Sequence, residues 1–157
     1  MPTTKDIEKQ YSELKKKYKL PDFKDIDFEL EISDLEETNF LIRAIVRRIA
    51  EKLDFYTTIL EEILQPDTSN LYAMHETRFF DEEEKKQMYD LYSKLMSFNR
   101  QSIEISLVHN EKDDAYFINN FLNEWKELKK ELLGFASKMK DSWKKEADIK
   151  DDLGYLG

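Results

Sequence analysis

The chain has 157 residues, with 34 acidic side chains against 25 basic ones, a net charge of −9, 40% hydrophobic residues, 13% aromatic residues and no cysteine. This composition excludes disulfides and thiolate chemistry and argues against a broad nucleic-acid surface, which needs a concentrated basic face. The apolar content supplies one packed core. With only three glycines and three prolines, too few for the turns of a sandwich or barrel, the expected fold is all-α.

Thr3 or Thr4 can cap a first helix of about fifteen residues that ends near Tyr18, with Ile7, Tyr11, Leu14 and Tyr18 on one face. Lys15, Lys16, Lys17 and Lys19 crowd its last turn, where cations complement the helix dipole. Leu20-Pro21 breaks this helix. The stretch that follows, Asp22 to Ser33, alternates Phe28, Leu30 and Ile32 with Glu29 and Glu31, a period of two that predicts an extended connector. It is strongly acidic: Asp22 to Glu37 holds eight acids and one lysine, Lys24. Packing of its apolar side chains into a groove is expected, with an exposed acidic arm for a partner as the other choice.

A central helix is expected from Ser33, whose spacing to Glu36 is that of a capping box, to Gln65, where Pro66 stops it. Leu35, Ile42, Ile49, Tyr56 and Ile63 recur every seven residues, as in a coiled coil, and Ile45, Leu53 and Leu60 widen the stripe. Such a stripe has to be covered by other long helices. Arg43, Arg47 and Arg48 are three of the five arginines in the chain, and an Arg47–Glu51 ion pair one turn apart is the simplest use for one of them.

Gln65 to Asp81 is a long connection, within which Ser69 to Glu76 can form a short helix. Tyr72, His75, Arg78, Phe79 and Phe80 lie in or beside it. They are the expected loop surface for a partner, with Phe79 and Phe80 alternatively closing the end of the bundle. Asp81 and Glu84 repeat the capping-box spacing and open a third helix carrying Met88, Leu91, Tyr92, Leu95, Met96 and Phe98. Ser102 to Leu107 continues it but also alternates like a strand, leaving both readings open. After a polar turn, a last helix from about Lys112 to Glu146 places Phe117, Phe121, Trp125, Leu128, Leu132, Phe135, Met139 and Trp143 on one face. Gly134 interrupts it at about 1 kcal/mol, as if to admit a bulky neighbour. The tail from Asp148 ends Leu153-Gly154-Tyr155-Leu156-Gly157, where Tyr155 and Leu156 could serve as a partner motif.

The expected architecture is therefore one helical domain, residues 1–147, with a tail at 148–157. It is an antiparallel bundle of three long helices plus a shorter N-terminal helix, with the extended acidic connector alongside. No run of about twenty apolar residues spans a bilayer, and Met1-Pro2-Thr3-Thr4-Lys5 lacks a signal-peptide core, so the expected location is cytoplasmic.

Catalytic constellations are missing from the sequence pattern. His75 and His109 are far apart and neither lies in a Glu-x-x-His step, which argues against a di-iron bundle. Glu111 and Asp114 match one of the two acidic steps of helical nucleotide pyrophosphohydrolases, but no segment supplies the other. With three glycines there is no phosphate loop. No catalytic, metal or cofactor residues are expected, and the chain is read as a non-catalytic protein–protein interaction module or homo-oligomer.

The run Phe40-Leu41-Ile42-Arg43-Ala44-Ile45-Val46-Arg47-Arg48-Ile49-Ala50-Glu51-Lys52, with Phe80-Asp81-Glu82-Glu83-Glu84 further on, resembles the helical domain of GINS replication-complex subunits. That family adds a small β domain, for which this chain supplies no glycine-rich strands. The resemblance implies the alternative function, a nucleic-acid-associated replication accessory subunit using Arg43, Arg47 and Arg48.

Overall fold

The computed structural model describes residues 4–36 and 39–144. Six α-helices carry them, α1 (Thr4–Tyr18), α2 (Phe23–Leu30), α3 (Leu41–Leu64), α4 (Leu71–Thr77), α5 (Glu82–Val108) and α6 (Glu111–Ser142), with a 3-10 turn at Ile32–Asp34. No strand occurs among the described residues. The chain divides into two compact units. The first draws on Met1–Asp54 and Ser97–Trp125, the second on Phe55–Met96 and Lys126–Gly157. Helices α3, α5 and α6 each run from one unit into the other.

The acidic connector is a helix, contrary to the period of two. Ile26 and Leu30, four residues apart, are both buried, while Phe28 between them is 79% exposed. That is one face of a helix, so the apparent alternation of Phe28 with Leu30 was a coincidence of spacing. The amides of Asp25 and Ile26 bond back to the Asp22 carbonyl at 3.0 and 3.1 Å, starting the helix directly after Pro21.

The central helix begins at Leu41, eight residues later than the capping-box pattern predicts. Glu31 takes a left-handed conformation (φ 52°) that ends α2, and Leu35 is extended. The Ser33 amide is held by the Asp27 carboxylate at 2.8 Å, and Ser33 lies within the 3-10 turn that follows α2. The other end is where Pro66 requires it. Within α3 most of the stripe is as spaced, with Ile42, Ile45, Ile49, Leu53, Leu60 and Ile63 all buried; Tyr56 is half-buried, and Leu35 lies before the helix begins.

In the first unit, Tyr11 is fully buried and donates to the Pro21 carbonyl at 2.5 Å. Its ring meets Phe23 edge-on. Burial, with Asp22 and Asp25 nearby, pushes its hydroxyl pKa well above the usual range. Phe98 of α5 packs edge-on against Phe117 and Phe121 of α6, and Phe121 stacks on Trp125 at 5.3 Å.

In the second unit, Leu60, Ile63, Phe80, Met88, Leu91, Leu95, Leu128 and Leu132 are buried. The Asp81–Glu84 box forms reciprocally: the Glu84 amide donates to Asp81 Oδ1 at 2.8 Å and the Asp81 amide to Glu84 Oε1 at 3.1 Å. Glu84 also pairs with Lys138 of α6. Residues 102–107 are helical, and their strand-like pattern arises because Ile105 is buried while Ile103 and Leu107 face outward. Gly134 admits no neighbour, since nothing lies within 4 Å of where a Cβ would stand.

Candidate functional site

Of the residues proposed for partner contact, those of α4 divide between inside and outside. His75 is buried to 1% exposure, its ring 4.1 Å from Trp143 and 5.0 Å from Phe79. Its Nε2 donates to the Ser142 carbonyl at 3.1 Å, at the last residue of α6. Two residues on, the Thr77 hydroxyl donates to the Ile63 carbonyl at 2.7 Å, in the last turn of α3. Both acceptors are helix-end carbonyls lacking a partner within their own helix, so α4 caps α3 and α6 at once. Asn70 caps α4 in turn, accepting from the Ala73 amide. Phe80 is buried edge-on to Phe135. Tyr72 and Arg78 remain on the surface, with the Tyr72 hydroxyl 3.2 Å from a Glu62 carboxylate oxygen, and Phe79 is half-buried. Tyr155 and Leu156 lie outside the described residues.

The three arginines of α3 do not act together. Arg48 donates to the Leu30 and Glu31 carbonyls at 3.4 and 3.5 Å, capping the C-terminus of α2. Lys52, one turn on, reaches the Glu29 carbonyl at 2.7 Å, and Trp125 Nε1 donates to the Glu29 carboxylate at 2.7 Å. Among the described residues no ion pair joins Arg47 to Glu51. Arg43 lies over the Phe40 ring at 4.8 Å.

Arg43 and Arg47 instead line a pocket of about 60 Å³ with Val46, Ile105, Ser106, His109 and Asp114. It sits at the corner where α5 gives way to α6. His109 makes that corner, in a left-handed conformation (φ 57°) with its amide on the Ile105 carbonyl. Asn110 follows as the cap of α6, its Oδ1 accepting from the Lys112 and Asp113 amides. Asp114 is 3% exposed. Burial raises its carboxyl pKa above the ordinary value; Arg43 and His109 oppose the shift, and Asp113 and Glu111 add to it. The sequence marked the arginines but gave no sign that the Asp114 carboxylate would be buried among them.

Two open grooves also lie on the surface. One, of about 410 Å³ in the second unit, is lined by Glu84, Asp90, Lys94, Lys130, Phe135 and Lys138. The other, of about 260 Å³ in the first, is lined by Gln10, Leu14, Lys17, Leu41, Ile42 and Glu111. Among the described residues no three His, Asp or Glu side chains are grouped to hold a metal ion, and no helix is long and apolar enough to cross a membrane.

No protein-family model, curated protein or solved structure matches the chain.

Proposed function

We propose that the protein is a non-catalytic interaction module, a scaffold, adaptor or subunit of a larger assembly, built on an antiparallel arrangement of α3, α5 and α6. The observation that carries this reading is the presentation of Phe28. Its ring is 79% exposed, more than that of any other aromatic side chain described, on a helix held from three sides. Arg48 and Lys52 clamp the carbonyl end of α2, Trp125 holds Glu29, and Ile26 and Leu30 are buried beneath. An aromatic side chain carried on a helix held in this way needs no backbone ordering on binding, which is how a small anchor contributes disproportionately to an interface. Asp25 and Glu31, also exposed, flank it, and they fit a partner whose apolar pocket is rimmed by lysine or arginine.

A photo-reactive phenylalanine analogue at position 28, expressed in the source cells, tests this. A discrete adduct that is absent when the same analogue replaces exposed Ser93 is the expected result. Equal labelling at both positions would overturn the assignment of α2 as the contact.

The alternative, a nucleic-acid accessory role, has Arg43 and Arg47 on one face in its favour, while Arg48 is occupied in capping α2. It predicts binding to DNA or RNA that weakens steeply with salt, and losing that binding in an Arg43→Gln, Arg47→Gln double variant would favour it.

A further inference from the structure

Asp114 has no use in the interaction module described above, yet its position is costly. A buried carboxylate is ordinarily paired or hydrogen-bonded. Among the described residues, no hydrogen bond or ion pair reaches this one. Among the described residues no deeply buried side-chain oxygen lacks a partner, so the Asp114 oxygens keep contact with the solvent of the pocket they line. Facing that pocket are two permanent cations from α3, Arg43 and Arg47, and the His109 imidazole from the corner. Glu111 and Asp113, in the first turn of α6, are the nearby acids. An ionised Asp114 offsets one of the two arginine charges of the lining; once its carboxyl is neutral, both count toward an anion. The lining also gains an O–H donor beside two guanidinium forks suited to oxyanions. At about 60 Å³ the space suffices for a few waters or one compact ion.

We propose that this corner pocket binds a single phosphate-class oxyanion on Arg43, Arg47 and His109, and that Asp114 takes up a proton as the anion enters. The carboxylate is then a built-in competitor: ionised, it offsets the charge of Arg43 and repels the anion, and protonated, it becomes a ligand. Anion affinity therefore rises as pH falls. The inference is independent of the role of Phe28.

The test is a titration of the full chain with inorganic phosphate, followed by backbone amide shifts at about pH 4.5 and about pH 6, a range that begins in the ordinary carboxylate region and keeps phosphate a monoanion, with sodium chloride matched for ionic strength. Amides of residues 43–47 and 106–114 are expected to move in a saturable way, with tighter binding at the lower pH. Arg47→Gln, at an exposed position, should abolish the response with the fold intact. Asp114→Asn should bind roughly tenfold tighter at the higher pH and lose most of the pH dependence. His109→Gln should retain that dependence. O-phosphoserine run alongside distinguishes a free ion from a phosphoryl group carried on a larger molecule: whichever binds more tightly names the source. Movement confined to the Lys15–Lys19 region, a response matched by chloride, or an Asp114→Asn variant with unchanged pH dependence would overturn the proposal.

Discussion

Two buried side chains show how far a single position can depart from its sequence signal. Thr77 looks like an ordinary loop threonine, but its hydroxyl satisfies the Ile63 carbonyl in the interior of the second unit. Replacing it with valine keeps the shape and removes the donor, leaving a buried carbonyl unmet at about 1–3 kcal/mol. Urea unfolding of Thr77→Val should show a lower midpoint with an unchanged slope. Asp114 gives the opposite sign. Its folded-state pKa lies above the unfolded value. Its contribution to stability is thus fully present below the unfolded pKa and lost as pH rises through the folded one. Asp114→Asn should therefore raise the melting temperature at neutral pH, and the gain should vanish in acid below the ordinary carboxylate range. An equal gain at both pH values would point to packing and not to ionisation. Neither role was legible in the sequence, because each depends on a partner distant along the chain or on burial that no local pattern encodes.

For the helices, the signals that worked were those carried by local chemistry. The Asp81–Glu84 box was readable because both partners lie within one turn, and the structure forms it reciprocally. Asp81→Ala should lower stability by about 1 kcal/mol, measured by chemical denaturation. Gly134 was equally visible but misread: with open space at its Cβ position, Gly134→Ala should stabilise α6 by up to about 1 kcal/mol, and a loss would show that the open side is occupied in solution. The boundary missed between α2 and α3 has a local cause. Helix α2 ends on left-handed Glu31, as α1 and α5 end on Lys19 and His109, and no glycine takes that role among the described residues. The usual glycine stop signal was absent, so α2 read as an extended connector and the start of α3 drifted back to Ser33, whereas Leu20-Pro21 marked the end of α1 without it.

At the level of the whole molecule, α3, α5 and α6 each contribute a segment to both compact units. Melting one unit would leave half of each long helix without its covering side chains, which favours a single cooperative transition. The two tryptophans report on this separately, Trp125 from the first unit and Trp143 from the second. Single-tryptophan variants, Trp125→Phe and Trp143→Phe, should give fluorescence transitions that coincide with each other and with loss of helical circular dichroism. Two separated midpoints would show independent units. The sequence by itself determined the helical class, most of the buried stripe of α3 and the buried face of α6 as far as Leu132, since 3.6-residue periodicity and scarce glycine are properties of the chain alone; beyond it Phe135 and Met139 are half-buried, and Trp143 lies past the end of the helix. Only the tertiary structure decided that α2 is a clamped helix, that α4 caps two helix ends, and that Asp114 shares a pocket with Arg43 and Arg47. Those outcomes follow from which carbonyls and charges lose their water on folding, and that is fixed by segments far apart in the sequence.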